Sequence, residues 1–417
     1  MHQTSGLASR TRGALRLLGA ATGRALTGPR LVGIEITHFC NLNCGFCESH
    51  GRFMPAPIVK TRQYVDERRT MDLETIERLA RSLGKLGVEW VELSGKGDPI
   101  VHPKLPEVVR LIKGAGLRCS MFTNGAVPRP GLAGTLVDAG LDRLNLSLNA
   151  ATRETYARVT SKDVWEKALA FLTEVIDLKK KAGRGKPWIR VTHVICKDNV
   201  DDMDASVTMA CELGVDEGGW SIMGELPQTR SIQLDRPQAD ALIARVPEWI
   251  ARLEAAGVAH DLETFEEDLR LRVGIGVVED NPLQRTLPCY EGWMHTVIAP
   301  DGTVAPCCYC EDSKLGNVVE QDFADIWRGE AYQDFRRASL AMPKTQEAIC
   351  RECFTTCNKA QENRRTHLRL RSVGLGTKSP AKAPAAGAED GAEAPIPAPV
   401  AGAHAFAKGP RSEPAAG

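Results

Sequence analysis

One pattern, repeated six times between residues 31 and 225, constrains the fold most strongly: a run of β-branched and apolar residues, then an amphipathic helical segment. In the first repeat, residues 31–37 predict a strand and residues 72–87 a helix with Asp72 as its N-cap. Helices that connect parallel strands cover the outside of the sheet. We therefore expect an α/β fold, a partial (β/α)6 TIM-like barrel with active-site residues at the carboxyl ends of its strands.

The remaining elements follow the same alternation. Further strands are predicted over residues 89–95, 117–125, 141–150, 188–195 and 219–225. Helices are predicted over residues 105–116, up to Ala139, over 163–183 and around 205–213.

Changes in composition divide the chain into five segments. These are a basic N-terminal segment (1–30), the barrel (31–230), a helical connector (231–285), a small cysteine-rich domain (286–372) and a tail (373–417). The tail consists mainly of Ala, Pro and Gly, so it has too few large apolar side chains to bury a core. We expect the tail to be disordered.

The N-terminal segment contains arginines and no acidic residue: Arg10, Arg12, Arg16, Arg24 and Arg30. Its apolar stretches are too short for a secretory signal peptide. An organelle transit peptide fits this composition, but an amphipathic lead-in helix or a frayed terminus fits it as well, and we favour these two.

Bulk composition excludes several classes of function. The formal net charge is zero, which gives no electrostatic attraction to nucleic acid, and no apolar run approaches membrane-spanning length. The chain has 13 cysteines, and they are clustered along a long sequence without a secretory signal. This pattern favours metal binding in a reducing cytoplasm over a disulfide framework.

The first cysteine cluster follows the first predicted strand. Cys40, Cys44 and Cys47 have the spacing C-x3-C-x2-C, so three thiols lie within eight residues. Thiolates hold iron–sulfur clusters, and three ligands leave one iron of a cubane cluster open to a small molecule. A zinc site that shares one distant ligand is the alternative.

This loop resembles the signature of the radical S-adenosylmethionine (radical SAM) superfamily, including the aromatic residue, here Phe46, before the third cysteine. The resemblance implies that the open iron binds SAM. One electron then cleaves SAM to methionine and a 5′-deoxyadenosyl radical, which abstracts a hydrogen atom from the substrate. It also implies an electron donor such as flavodoxin or ferredoxin.

Three later segments resemble the family's SAM contacts. Gly97, Asp98 and Pro99 occupy the Gly-Glu-Pro segment that meets the SAM amino group, with Asp in place of the usual Glu. Because that contact is made largely by backbone, we expect it to survive the replacement. Asn124 lies at the end of the third strand, and Ser147 and Arg158 lie where the family approaches the ribose and the carboxylate of SAM.

The second cysteine cluster resembles the family's auxiliary-cluster module, called SPASM in its full form and twitch in its shortened form. The resemblance rests on the Asp301-Gly302 hairpin signal over residues 295–308, the Leu-Gly-Asn segment with Trp327 downstream, and a closing C-x2-C. It implies one auxiliary 4Fe–4S cluster, and a second remains open. The expected ligands are Cys289, Cys307, Cys350 and Cys353, with Cys357 a further candidate. A disulfide or zinc-ribbon module is the alternative.

Several cysteines remain outside this ligand set. Cys308 and Cys310 flank Cys307 and are candidate hydrogen-atom donors to a substrate radical, although they could instead bind iron or line the hairpin. Cys119, Cys196 and Cys211 lie in predicted strands and helices, where we expect them to be small core residues.

The substrate is predicted only by class. We expect oxidation of a small molecule such as a sugar, an aminocyclitol or a conjugate. Only 39 residues precede Cys40, and they show no pattern of the leader-recognition domain that many peptide modifiers of the superfamily carry. Peptide or protein modification, redox-neutral epimerisation with a cysteine donor, and a non-catalytic iron–sulfur electron carrier are the alternatives. Candidate substrate-facing residues at strand ends are Glu35, His38, Glu92, His193 and Glu225. For the two histidines we favour the alternative, since a histidine in a strand is more often a hydrogen-bonded structural residue than a catalytic base.

Overall fold

A computed structural model describes residues 7–54, 70–126, 129–183, 185–224, 227–273, 287–308, 310, 313–342 and 360–375. The predicted alternation of strands and helices is confirmed in the barrel. Its strands are β1 (Leu31–Ile34), β2 (Trp90–Leu93), β3 (Arg118–Thr123), β4 (Arg143–Ser147), β5 (Trp188–Ile195) and β6 (Glu217–Ile222).

Helices connect these strands. A helix α1 (Leu7–Thr22) precedes the sheet, and the connecting helices are α2 (Leu73–Lys85), α3 (Leu105–Gly114), α4 (Leu132–Asp138), α5 (Arg153–Thr160), α6 (Trp165–Lys181) and α7 (Met203–Leu213). Asp72 caps α2 as expected, since its carboxylate accepts a hydrogen bond from the Thr75 backbone N–H. Helix α5 was not predicted as a separate element; Thr152 caps its first turn.

The C-terminal half adds smaller elements. They are α8 (Arg236–Ala255), α9 (Leu262–Arg272), α10 (Glu291–Met294), β7 (His295–Ile298), β8 (Thr303–Ala305), β9 (Gly316–Asn317), α11 (Phe323–Arg328), α12 (Glu330–Leu340) and α13 (Ala360–Ser372). The hairpin predicted around Asp301-Gly302 is confirmed: β7 and β8 are antiparallel, and Gly302 adopts a φ of 84° in the turn.

Within the described residues, the nine strands form one open sheet in the order β6-β5-β4-β3-β2-β1-β7-β8-β9. The six barrel strands are parallel and neighbour one another in chain order, which confirms the expected partial TIM-like barrel. β7 pairs in parallel with β1, with Leu31 opposite His295. The cysteine-rich segment therefore extends the barrel sheet beside the strand that leads into the Cys40–Cys47 loop.

The two faces of the sheet differ in polarity. Trp220 lies on the face covered by helices, because its indole N–H donates to the Ser206 hydroxyl of α7 at 2.9 Å. Side chains alternate between the two faces along a strand, so the half-buried residues of β5 lie on the opposite face of the sheet. We call this opposite face the concave face. Its polar residues on β2 to β6 are Glu92, Ser120, Arg143, Asn145, Ser147, Arg190, Thr192 and Glu217.

The arginine-rich N-terminal segment forms helix α1, which is anchored to the barrel. The Arg16 side chain is buried and pairs with Glu89. Its guanidinium group also donates to the carbonyl oxygens of Gly28 and Gly87, at 3.0 and 3.2 Å. These contacts agree with a lead-in helix rather than a frayed terminus.

The position of His193 agrees with the structural role and not with the substrate-facing one. Its ring is buried and stacks on Trp220, with the ring centroids 6.1 Å apart, on the helix-covered face of the sheet. Its neighbours Thr192 and Val194 occupy the concave face instead, because successive strand residues point to opposite sides. His193 is therefore a core residue. Glu225, the other candidate from this region, lies outside the described residues.

Burial makes His193 an acid-sensitive element of the fold. Desolvation lowers the pKa of His193 from 6.5 to about 4. Its neutral form stabilises the fold above about pH 6.5, and that contribution falls as the pH drops towards 4. Between about pH 7 and about pH 5, this group should lower the free energy of unfolding by about 2 kcal/mol.

Denaturant unfolding of the parent protein and of His193→Phe tests this expectation. The variant keeps an aromatic ring against Trp220 but has no group that titrates there. Over that pH interval, its free energy of unfolding should fall by about 2 kcal/mol less than that of the parent. Equal pH sensitivity of the two proteins would contradict the assignment.

Candidate active site

The Cys40–Cys47 loop leaves the carboxyl end of β1 and is fixed to the carboxyl end of α5. The backbone N–H groups of Asn43 and Gly45 donate to the carbonyl oxygens of Thr160 and Val159, at 3.2 and 2.9 Å. Carbonyl groups at the end of a helix have no partner within it, so they are available to the loop. Helix α5 therefore determines where the three cysteines lie.

The three thiols of this loop share one partly buried environment. Burial raises the pKa of Cys40 to about 12 and also raises the pKa values of Cys44 and Cys47. The charges of Cys40 and Cys47 each raise the pKa of Cys44, so the thiols lie within electrostatic reach of one another. Such thiols ionise readily only when a metal centre supplies positive charge. The site thus fits an iron–sulfur cluster.

The segment after β2 lies directly against this loop. A side chain at Gly97 would place its Cβ 2.3 Å from the Thr37 carbonyl oxygen and 2.6 Å from that of Phe39. The adjacent backbone N–H of Asp98 donates to the same Phe39 oxygen at 2.7 Å. Only glycine permits so close an approach of two backbones.

The Asp98 carboxylate is buried and joins the ends of β2 and β3. It accepts hydrogen bonds from the Thr123 hydroxyl and the Asn124 backbone N–H, both at 2.7 Å, and from the Ile100 backbone N–H at 2.9 Å. Burial raises its pKa, while these three donors act in the opposite direction. The Asp98 carboxylate thus links the ends of β2 and β3. Contact with a ligand is left to the backbone groups of residues 97–99.

Asn124 faces the cysteine loop from the end of β3. Its side-chain amide donates to Asn41 Oδ1 at 2.9 Å and lies 4.0 Å from Cys40 Sγ. Amide groups beside ligand sulfurs orient them and tune a cluster. Asn41 in turn donates to the Ala126 carbonyl oxygen at 3.1 Å.

The other predicted SAM contacts occupy different parts of the site. Ser147 lies on the concave face, 3.5 Å from the Thr192 hydroxyl. Phe46 packs against a small apolar cluster that includes Cys196 and Met223. Arg158 is exposed, and its Nε donates to the Asp198 carbonyl oxygen at 2.8 Å. The SAM contacts of all three residues stay predictions.

Residues that sequence reasoning missed hold this edge of the sheet together. Arg52, after the cysteine loop, donates to Asp198 Oδ2 at 2.6 Å and to the Ser161 hydroxyl at 3.0 Å. Asn149 adopts a φ of 62°, and its Oδ1 accepts from the Val194 backbone N–H at 2.9 Å. An Asn after a strand is a signal for such a left-handed position, whereas long-range partners such as Asp198 leave no local signal.

Two of the strand-end candidates form a pair. Glu35 Oε2 and His38 Nε2 are 3.1 Å apart, and both side chains are buried. The Glu35 side chain also lies over Gly95, where an added Cβ would be 2.3 Å from Glu35 Cγ. Glu92 faces the concave side and accepts from the Ser94 hydroxyl at 3.2 Å.

The second cysteine site is partly described. Cys307 and Cys310 are buried in one cluster with Phe335 and Met342, and Cys289 packs against it, whereas Cys308 is exposed. The side-chain amide of Asn363, in α13, lies 4.0 Å from Cys289 Sγ. The predicted ligands Cys350, Cys353 and Cys357 lie outside the described residues.

The structure also locates the cysteines outside the predicted ligand set. Cys310 is buried in the same cluster as Cys307, and its backbone N–H donates to the Cys307 carbonyl oxygen at 3.2 Å, whereas Cys308 is exposed. Because iron–sulfur clusters are held by cysteine thiolates, Cys310 is a further candidate ligand. The expected core role of Cys119 and Cys196 agrees with their burial, and Cys211 is half-buried on α7.

Family models match two regions of the chain. Residues 34–210 match the model described as the radical SAM superfamily, and residues 289–354 match SPASM, described as an iron–sulfur cluster-binding domain. Within the part of the chain that the structure describes, no helix is long and apolar enough to cross a membrane.

Curated relatives are named as probable GTP 3′,8-cyclases. The protein of Metallosphaera sedula is 32% identical over 185 residues, which are 44% of this chain and 52% of that protein, so the chain spans about half the length of this relative. The protein of Saccharolobus islandicus strain M.14.25 is 28% identical over 308 residues, which are 74% of this chain and 90% of that protein.

Solved structures share the fold. Streptococcus suis SuiB aligns with a TM-score of 0.58 and 16% identity, over 81% of this chain and 74% of that chain. The structure of anSMEcpe with bound AdoMet aligns with a TM-score of 0.53 and 15% identity, over 83% of this chain and 98% of that chain. These likenesses support the partial barrel.

Proposed function

Because the chain belongs to the radical SAM superfamily and has a C-terminal SPASM domain, we propose that it abstracts a hydrogen atom from a polar small molecule and oxidises that molecule. It is a radical SAM enzyme. Its cofactors are SAM, a SAM-binding 4Fe–4S cluster and one or more auxiliary iron–sulfur clusters in the SPASM domain. The substrate and the net oxidation are the parts proposed here.

Cys40, Cys44 and Cys47 would hold the SAM-binding cluster, since their loop brings three partly buried thiols together. This cluster, when bound, supplies the electron that cleaves SAM to methionine and the 5′-deoxyadenosyl radical. The auxiliary cluster would be held by Cys289 and Cys307 with thiols from residues 350–357, and it supplies an electron acceptor. Cys310 is a further candidate ligand because of its position.

The side chains and backbone of the protein would hold SAM and the cysteine loop in position. The Asp98 carboxylate holds the backbone of residues 97–99 against the cysteine loop, where the amino group of SAM would bind. Asn124, which is hydrogen-bonded to Asp98, donates to Asn41 of the loop. Fixed donors and acceptors of this kind remove the cost of organising the site during the reaction.

The polar groups towards the carboxyl ends of the barrel strands are the observation that carries the substrate class. Ser147 and Thr192 place two hydroxyl groups on the concave face, 3.5 Å apart, and Glu92 adds a carboxylate to this face. The ion pairs of Arg143 and Arg190 with Glu217 lie towards the amino ends of their strands, away from the cysteine loop. The part of the concave face nearer the loop therefore suits hydroxyl and amino groups better than a polyanion.

The proposed reaction balances as follows. A secondary alcohol carbon of the substrate gives one hydrogen atom to the 5′-deoxyadenosyl group, forming 5′-deoxyadenosine. The substrate radical would then give one electron to the auxiliary cluster and one proton to solvent, so the alcohol becomes a ketone. A one-electron donor such as flavodoxin or ferredoxin would supply the electron that cleaves SAM.

A nucleotide substrate is the second candidate. It is favoured by the 28% identity that extends over 90% of a relative named as a probable GTP 3′,8-cyclase. The carboxylate of Glu92 argues against it, because a carboxylate on the concave face repels the negative charges of a triphosphate. Epimerisation through Cys308 or Cys310 is less well supported, since Cys308 is exposed and Cys310 is buried in the same cluster as the proposed ligand Cys307.

Isotope transfer tests the proposal. Anaerobic reactions contain reconstituted enzyme, SAM, dithionite and one substrate deuterated at its carbinol carbons. The set comprises sugars, aminocyclitols and GTP deuterated on its ribose. We expect deuterium in 5′-deoxyadenosine with a sugar or aminocyclitol, and a product that has two hydrogens fewer than the substrate.

Two other outcomes would replace this proposal. Deuterium transfer from GTP alone would favour the nucleotide reaction. A product of unchanged mass in H2O that gains one deuterium in D2O would favour epimerisation, and loss of that deuterium in Cys310→Ala, with iron content unchanged, would identify the donor.

A further inference from the structure

Tyr156 carries a buried hydroxyl group that the described part of the chain leaves without a hydrogen-bond partner. The side chain is 0% exposed, and its ring packs edge-on against Trp165 with the centroids 5.5 Å apart. A buried hydroxyl without a partner destabilises the fold, because it has lost its hydrogen bonds to water. In a well-packed protein such a group indicates a partner other than the chain itself.

The location of Tyr156 indicates which partner this is. Tyr156 lies on α5, the helix whose Val159 carbonyl oxygen accepts a hydrogen bond from Gly45 in the cysteine loop. Burial is the largest cause that raises the pKa of Tyr156, and the charge of Cys44 is the next. Tyr156 precedes Val159 and Thr160 by one helical turn and so lies on the same side of α5 as the carbonyl groups that bind the loop. Cys40 and Cys44 pack against the core cluster that contains Tyr156. The Tyr156 side chain therefore lies on the side of α5 that faces the cysteine loop.

We propose that Tyr156 is a positioning residue that donates a hydrogen bond to the Cys44 sulfur, or to the adjacent sulfide, of the SAM-binding cluster. Such a bond stabilises the reduced cluster, which carries more negative charge, and so raises its reduction potential. The inference rests on the cluster assignment in the proposed function but not on the substrate class, because its test contains no substrate.

Potentiometric titration followed by electron paramagnetic resonance tests this hydrogen bond. The parent, Tyr156→Phe and Tyr332→Phe are reconstituted identically, and the signal that changes on addition of SAM is assigned to the SAM-binding cluster. Tyr332→Phe is the matched control, because it removes a buried hydroxyl that already has a partner, the Thr296 hydroxyl at 2.7 Å.

We expect equal iron contents and a lower potential for the SAM-binding cluster in Tyr156→Phe only. A tenfold weaker preference for the reduced state corresponds to about 59 mV for one electron. A shift no larger than that of Tyr332→Phe, at full iron content, would overturn the proposal. Failure of all three proteins to bind a cluster would instead refute the proposed function.

Protein stability gives a second readout. In chelator-treated protein, Tyr156→Phe should be at least as stable as the parent, because it removes an unpartnered hydroxyl. In the cluster-loaded protein it should be less stable than the parent. A change of the same sign in both forms would show a role in packing alone and would overturn the proposal.

Discussion

Replacement of Cys40, Cys44 and Cys47 by alanine is expected to remove one 4Fe–4S cluster, about four irons per chain, and to reduce SAM cleavage to the level of enzyme-free buffer. The three thiols share one partly buried site, and no iron can be held there without them. Iron analysis and quantification of 5′-deoxyadenosine after anaerobic reconstitution provide the measurement.

Cys211→Ala is the matched control for this variant. Cys211 is a half-buried thiol on α7, and its Sγ lies 3.8 Å from the Arg252 carbonyl oxygen, away from both cysteine sites. It should keep the iron content and the SAM cleavage of the parent. SAM cleavage that persists in the triple variant would show that the cluster site lies elsewhere.

Asp98→Ala is expected to have the second largest effect. The substitution leaves three buried donors, those of Ile100, Thr123 and Asn124, without their acceptor. We expect it to lower the free energy of unfolding by about 3 kcal/mol. Displacement of residues 97–99 from the cysteine loop should also slow SAM cleavage roughly 100-fold per folded molecule.

Asp142→Ala separates these two effects. Asp142 is also a buried carboxylate with several donors, namely Lys113, Lys186 and the Cys119 backbone N–H, but it precedes β4 at the opposite end of the sheet. Its loss should destabilise the fold to a similar degree while each folded molecule keeps its rate of SAM cleavage. Equal losses of rate in both variants would show that Asp98 supports only the fold.

Asp98→Asn refines this comparison. The amide retains one acceptor oxygen of the same shape, so we expect an intermediate rate and intermediate stability. SAM-binding isotherms and denaturant unfolding of the three variants measure the two effects separately.

The local pattern of the sequence was sufficient for the barrel. Strand and helix periodicities are local properties, and parallel strands joined by helices have few ways to pack. The C-x3-C-x2-C spacing is equally local, so the loop and its place after β1 could be predicted. Asp72 was likewise predicted as a cap, because a cap depends on residues within one turn.

Other features depend on partners far apart in the chain. Sequence alone placed Asp98 in a SAM-contact segment, but its role as a link between strand ends depends on β3 lying beside β2. It left open whether His193 faces a substrate or is structural, because the face on which a strand residue lies is fixed by the packing of Trp220 against α7. It gave no reason to select Tyr156 from other helical aromatics.

The sequence by itself thus determined the element order, the cysteine loop and the presence of a second cysteine-rich segment. Tertiary structure decided that this segment extends the sheet through β7, that Cys310 rather than Cys308 lies beside Cys307, and that the Tyr156 hydroxyl is buried without a partner near the loop. The physical reason is the range of the interactions: periodicity, capping and ligand spacing act over a few residues. Strand order, burial and hydrogen-bond satisfaction arise only when distant segments pack together.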